Sequence, residues 1–120
     1  MARRYEQPEP ISKEEATQVF EQGSSEEIID VLLGLAYYEP DWRWVQGRCL
    51  EFVEHTDPAV RRIAALCCGH LTRIHKTIDL DLVLPALQAM LSDPNPWVVG
   101  TVQDALDDIS VFYRGIHKKM

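Results

Sequence analysis

Several features that would by themselves define a protein class are missing from the sequence. It contains 3 cysteines in 120 residues, an odd number with two of them adjacent, and this excludes a disulfide framework. No stretch approaches the roughly 20 apolar residues of a membrane span. The opening, MARRYEQPEP, has no apolar run of the kind found in a secretory signal. We therefore expect a cytoplasmic protein that has no contact with a membrane.

Motifs of catalysis and metal binding are missing as well. The sequence has no Gly-rich phosphate loop, no Gly-x-Ser-x-Gly motif and no His-Glu-x-x-His motif. Its nearest approach to a ligand cluster is CCGH, which contains Cys67, Cys68 and His70, with His75 close behind. No second Cys/His pair follows at a zinc-like spacing, and the cysteines occupy apolar positions, where a thiolate is disfavoured. We predict buried thiols, no metal, no cofactor and no enzymatic activity.

Strand patterns are also absent, whereas helical patterns occur six times. Apolar residues recur at steps of three and four residues, which is typical of amphipathic helices. The length suits one domain, so we predict an all-α fold built as a short stack of three antiparallel helix pairs. The pairs lie near residues 12–38, 41–75 and 80–113. The predicted domain covers residues 12–114, between an N-terminal tail at 1–11 and a basic C-terminal tail at 115–120.

Local signals mark the starts of most helices. Glu15 and Glu27 each follow a serine by three residues, which is the spacing of a capping box. Elsewhere an aspartate stands where it can accept the first free amides of a helix. The predicted N-cap residues are Ser12, Ser24, Asp41, Asp57 and Asp93. The fifth helix, near residues 81–91, is expected to bury Leu84, Leu87 and Leu91.

One pattern occurs twice in the sequence. DPAVRRIAALCCGHL and DPNPWVVGTVQDALDD both begin with Asp-Pro and continue as an apolar helix. When Val60 is aligned with Val98, Leu71 falls on Ile109, at an offset of 38 residues. A period of this length is typical of stacked helical repeats, in which neighbouring pairs cover each other's apolar faces.

These stretches resemble the HEAT-repeat family. LPALQAMLSDPNPWVV is similar to its first helix, turn and second-helix start, and DPAVRRIAALCCGHL is similar to its second-helix consensus. The resemblance covers residues 41–113 and implies a short right-handed superhelical stack. It also implies a ladder between repeats, formed by Asp57, Arg61 and Asp93. The pattern is broken at Val99, where the arginine of the family does not recur.

The net charge is negative and unevenly distributed. It is −7 overall, with 5 Lys/Arg against 13 Asp/Glu in residues 1–60 and 7 against 6 in residues 61–120. An acidic surface repels nucleic acid and accelerates association with a basic partner, although the same acidity also serves solubility. The basic residues of the fourth helix, Arg61, Arg62 and Arg73, are assigned to the ladder and not to a DNA-binding channel.

Two groups of residues are candidates for a binding surface. Asp104, Asp107 and Asp108 share one helix at spacings that helix energetics disfavours, so they form either an acidic patch or a solvated outer face. The turn YYEPDWRWVQGR combines aromatics with acids, which is typical either of a binding hot spot or of packing between repeats. The candidate partner-binding residues are Glu26, Asp30, Tyr38, Glu39, Asp41, Trp42, Trp97, Asp104, Asp107 and Asp108.

The profile of the chain looks like that of a bacterial immunity protein of contact-dependent growth inhibition or a related polymorphic-toxin system. This resemblance implies a non-catalytic binding module that covers the active site of a toxin, a basic nuclease, with an acidic surface. Nucleic acid and membranes are not expected as partners. The alternative is a structural or adaptor HEAT-repeat subunit of a larger protein complex.

Overall fold

The computed structural model describes residues 9–118, with side chains up to residue 114, and every regular element among them is helical. The helices in chain order are α1 (Lys13–Gln22), α2 (Ser25–Tyr38), α3 (Trp42–Phe52), α4 (Pro58–His75), α5 (Leu80–Ala89) and α6 (Pro96–Lys118). A 3₁₀ turn, Met90–Ser92, follows α5. The prediction of an all-α protein is confirmed.

Capping side chains start the first four helices where the sequence predicted. Ser12 Oγ accepts from the Glu15 amide at 3.1 Å, while the Glu15 carboxylate accepts from the Ser12 amide at 3.3 Å. Ser24 and Glu27 make the same reciprocal pair at 3.2 Å and 2.8 Å. These bonds satisfy amides that have no partner within the helix. The other two confirmed N-caps are Asp41 and Asp57.

The predicted cap of α6 is wrong. Asn95 starts this helix, because its Oδ1 accepts from the amides of Trp97 at 2.9 Å and Val98 at 3.4 Å. Asp93 lies two residues earlier and binds the guanidinium of Arg61 at 2.7 Å and 3.0 Å. A bidentate ion pair is stronger than a cap bond to a neutral amide, and it draws the carboxylate away from the helix.

The predicted buried face of α5 is correct at only one of its three leucines. Leu87 is fully buried and Leu84 partly buried, but Leu91 is 41% exposed. Val83 and Met90 are buried instead. Val83, Leu87 and Met90 follow one another at steps of four and three residues, so the buried stripe keeps helical spacing and shares only Leu87 with the predicted stripe. Both stripes fit the helical periodicity, and packing against the core selects between them.

The helices form two rows. The inner row consists of α2, α4 and α6, with α4 in the middle and in contact with both neighbours. The outer row consists of α1, α3 and α5, each packed on the helix that follows it in the chain. This is the predicted stack of three helix pairs. Its core lies between the rows, with Leu32, Leu35, Val60, Leu71 and Val102 completely buried.

The predicted ladder between repeats is present at Arg61 and Asp93. Arg61 also donates to the backbone oxygens of His55 at 2.9 Å and Thr56 at 3.1 Å, so it ties the turn before α4 to the turn before α6. The guanidinium holds the pKa of the Asp93 carboxyl below its usual value. Asp57, which the resemblance also placed in the ladder, caps α4: its carboxylate accepts from the Ala59 amide at 2.9 Å, and its carbonyl accepts from the Arg61 amide at 3.1 Å within the helix.

A second connection of this kind was not predicted. Arg43 of α3 donates to the two carboxylate oxygens of Asp79 at 3.1 Å and 3.2 Å, just before α5. The buried Gln46 side chain donates to the Asp79 carboxylate at 3.0 Å and accepts from the Asp79 amide at 2.8 Å. These bonds join the second and third helix pairs through their outer row.

The predicted N-terminal and C-terminal tails can be compared with the structure only in part. Residues 1–8 and 119–120 lie outside the described residues. Helix α6 continues to Lys118, past the domain end that we predicted at residue 114. Among the described residues, no helix has both the length and the apolarity needed to cross a bilayer.

Candidate partner-binding surface

The inner row has one surface that the outer row does not cover, and we call it the open face. It is formed by the residues that recur at steps of three and four positions along one side of each of α2, α4 and α6. They begin at Glu26 in α2, Ala59 in α4 and Trp97 in α6, all of which are exposed. Because the three helices run side by side, a partner on this face would touch all three repeats at once.

A groove of about 520 Å³ crosses the open face near the first turns of α4 and α6. Its walls combine aliphatic side chains from all three inner helices with a single tryptophan. The main lining residues are Ile29, Leu33, Ala59, Arg62, Ile63 and Trp97. The carboxylate residue Asp57 also lines the groove. Such a concave apolar site with a few polar groups is the usual form of a binding pocket.

Trp97 is the most exposed large apolar residue of the described chain, at 71%. The Arg62 guanidinium lies over its ring, 5.0 Å from the ring centre, and also donates to the Thr101 hydroxyl at 3.2 Å. Asn95 fixes the backbone of Trp97 through its cap bond. The indole is therefore held in place although most of its surface faces solvent.

The other end of the open face is formed by Tyr37, His70 and Asp108. The Tyr37 and His70 rings lie 5.2 Å apart, and Tyr37 is 46% exposed. Gly69 of α4 faces α6 here, and a Cβ placed on it would lie in ordinary contact with an Asp108 carboxylate oxygen, at 3.4 Å. Burial and the Arg73 guanidinium lower the pKa of His70, and the Asp108 carboxylate opposes them.

The acidic candidates mostly share the open face. By helical spacing Glu26 and Asp30 belong to its α2 edge, and Asp104 and Asp108 belong to its α6 edge. Asp107 is exposed but points to the side of this strip. The structure thus places on the two edges of one face acidic residues that are about 80 positions apart in the chain.

The candidates of the turn between α2 and α3 occupy a different place. Asp41 caps α3 and pairs with Lys13 at 2.6 Å, and these contacts hold its pKa below the usual value. The amide of Asp41 donates to the Glu39 carboxylate at 3.0 Å. Trp42 is partly buried against the core with Arg43 over its ring at 4.7 Å. Tyr38 remains 52% exposed.

Sequence reasoning missed the aliphatic part of the groove and assigned one arginine wrongly. Ile29 and Leu33 of α2 were not among the candidate residues, and both are only partly buried. Arg62 was expected in the ladder, but its guanidinium lies on Trp97 while Arg61 alone reaches Asp93. The four-residue spacing of Ile29 and Leu33, offset from the fully buried Leu32, was the available signal.

The three cysteines are confirmed as buried side chains. Cys49, Cys67 and Cys68 have no exposed surface, and hydrogen bonding among the thiols together with burial raises the pKa of Cys49 and Cys68. The Cys67 thiol donates to the Leu32 carbonyl at 3.6 Å. In the described part of the chain, no group of three His, Cys, Asp or Glu side chains is placed to hold a metal ion.

The two rows and the open face define a short helical-repeat protein. Comparison with known proteins assigns it to a family. The family model described as Cnd1, non-SMC mitotic condensation complex subunit 1, matches residues 51–117. The match spans more than half of the chain, and the chain belongs to this family. No curated protein matches it.

A solved structure is similar over nearly the whole length. It is described as the crystal structure of a CDI complex from Cupriavidus taiwanensis LMG 19424. One of its chains is 33% identical, with a TM-score of 0.79 over 92% of this chain and 98% of that one. The two chains therefore share the fold and belong together as relatives.

Proposed function

We propose that this protein is an immunity protein of a contact-dependent growth inhibition system. The observation that supports this most directly is the 33% identity to a chain of a CDI complex, which extends over 98% of that chain. In such a system the cell that makes a toxin protects itself with a protein that binds it. A cytoplasmic binding module that performs no chemistry fits this task.

The proposed mechanism is the covering of a basic active site by carboxylates. The acidic edges of the open face would occupy the Lys/Arg pocket that otherwise binds substrate phosphates of a nuclease toxin. Long-range attraction would accelerate the encounter, so added salt should lower the association rate more than it raises the dissociation rate. Nucleic acid and membrane surfaces, both anionic, would be repelled.

Co-expression with the product of the adjacent gene, which the proposal expects to carry the toxic domain, tests the proposal. Cell survival and co-purification are the two measurements, and the wild-type protein is expected to give both. Changing Asp104, Asp107 and Asp108 together to lysine should abolish the protection, because the acidic edge then repels a basic toxin.

A matched control separates the position of the charges from their number. Glu21, Glu54 and Asp81 are exposed carboxylates in or beside the outer-row helices, and their change to lysine alters the net charge equally. This control variant should still protect the cell. Equal protection by both variants would remove the three aspartates of α6 from the site.

The family match to a condensation complex subunit favours a second candidate, a structural or adaptor subunit of a larger assembly. An adaptor would co-purify with several subunits of one complex and would give no protection against any toxin. Survival of the co-expressing cells therefore distinguishes the two functions.

A further inference from the structure

The groove on the open face has the features of an anchor site. It joins an exposed, fixed tryptophan to aliphatic side chains from three helices, and binding hot spots are enriched in such pre-positioned aromatic residues. We propose that the groove receives an apolar side chain that is flanked by lysine or arginine on the surface of the toxin, with Trp97 as the principal contact. This inference rests on the proposed function.

An apolar occupant is expected because most of the side chains that line the groove are apolar. Ile29 and Leu33 form one wall and Trp97 and Val98 the opposite one, with Ala59 between them on α4. The side chain of alanine is short, so the floor at Ala59 is open to an inserted group. An aliphatic or aromatic side chain seated there would remove these surfaces from water without leaving a buried polar group unpaired.

Lysine or arginine is expected beside the inserted side chain of the toxin because carboxylates border the groove. Asp57 lines the groove, and Glu26 stands one turn before Ile29 on α2. Arg62 is the only cation among the described lining residues, and its guanidinium is already engaged with Trp97 and Thr101. Asp57 and Glu26 together outnumber Arg62, so the net charge at the rim is negative and attracts a basic partner, while the indole holds the guanidinium to one side.

The arrangement needs little reordering on binding. The contact with Arg62 restricts the Trp97 side chain before a partner arrives, and the cap bond to Asn95 holds its backbone. Less side-chain freedom is then lost in the complex, and a larger part of the contact energy appears as affinity.

The test measures the affinity of purified variants for the toxic domain that the proposed function assigns to the adjacent gene, by isothermal titration calorimetry. Trp97→Ala should weaken binding by about 30-fold, the effect of losing a hot-spot residue. The matched control is Leu82→Ala, which removes an exposed apolar side chain from the outer row (57% exposed) and should change the affinity less than about twofold.

A second pair of variants tests the occupant and guards against unfolding. Ala59→Arg fills the floor of the groove with a cation, whereas Ala89→Arg adds the same residue at an exposed alanine of α5. The first change should weaken binding at least as much as Trp97→Ala, and the second should leave it unchanged. Circular dichroism melting of each variant shows whether the fold is kept.

The outcomes separate this inference from the proposed function. If wild-type protein binds the toxic domain and Trp97→Ala and Ala59→Arg bind equally well, the groove is not the anchor and the immunity function stands. If wild-type protein binds no toxic domain, the proposed function fails, and two short synthetic peptides decide about the groove. Both peptides carry central leucines, one between lysines and one between glutamates.

The peptides are titrated into isotope-labelled protein and followed by NMR. The lysine peptide should shift the amide signals of Ala59 and Trp97, and the Trp97→Ala variant should lose the effect. Equal shifts with the glutamate peptide would overturn the charge argument. No shift with either peptide would overturn the groove as a docking site.

Discussion

The ion pair between Arg61 and Asp93 is the sharpest test of how the repeats are joined. Its side chains are only 16% and 8% exposed, and the guanidinium makes four hydrogen bonds, two to the carboxylate and two to backbone oxygens. Arg61→Ala would take the guanidinium away from the Asp93 carboxylate, which keeps its hydrogen bond from the Asn95 amide at 2.9 Å. An uncompensated buried charge costs about 3 kcal/mol.

For a chain of this length that loss lowers the melting temperature by about 12 °C, as measured by differential scanning calorimetry. The control is Arg43→Ala, which breaks the other bidentate pair. The Arg43 side chain is 69% exposed, so water replaces much of what it loses. Its melting temperature should fall by less than about a third of that amount.

A double variant tests whether the cost comes from the stranded charge. Asp93→Asn removes the charge, and Arg61→Ala should be much less damaging in that background, because no carboxylate is left without its partner. If Arg61→Ala and Arg43→Ala lower the melting temperature equally, or if the two changes at Arg61 and Asp93 are additive, the reasoning is refuted.

Three further expectations concern caps, pH and thiols. Asn95→Ala should destabilise the protein by about 1 kcal/mol in urea unfolding, whereas Asn95→Asp should be close to neutral, and no loss in the alanine variant would contradict the cap. Because the folded pKa values of Asp57 and Asp93 lie below their unfolded values, their stabilisation is present above about pH 4 and disappears as the pH falls through the folded values; unfolding free energies that stay level in acid would contradict this. Cys49 and Cys68 should resist a disulfide reagent in the native protein and react once it is unfolded in guanidinium, and fast native labelling would disprove their burial.

The helix starts could be predicted because capping is a local interaction. A serine and a glutamate three residues apart satisfy each other's amides in any context, and both predicted boxes formed. The start of α6 could not be predicted in the same way, since Asp93 and Asn95 are both good cap residues and both precede a proline. The choice depended on Arg61, which is 32 positions away in the chain.

Individual residues of the candidate site could be predicted from the sequence, but which of them share one surface could not. Negative charge can be read from composition, and Trp97 was a candidate because it directly follows a turn. Which acids share a face with Trp97 depends on how far each inner helix is rotated, and packing between helices that are distant in the chain sets that rotation. The turn at Asp41 looked like part of the same surface, but it is engaged with Lys13 of α1.

The two-row arrangement leaves only a few positions of α4 available for contact with a partner. Helix α4 packs against α2, α6 and α3, so three of its sides are committed to the core and only a strip at three- and four-residue spacing remains. Ala59 and Arg62 belong to that strip, whereas Val60 and Ala64 beside them are fully buried. A change within the strip can therefore alter what the groove accepts without opening a cavity, while a change one position away alters the packing. Substitutions within the strip can therefore change which partner a stack of this kind binds, while the remaining positions preserve its fold.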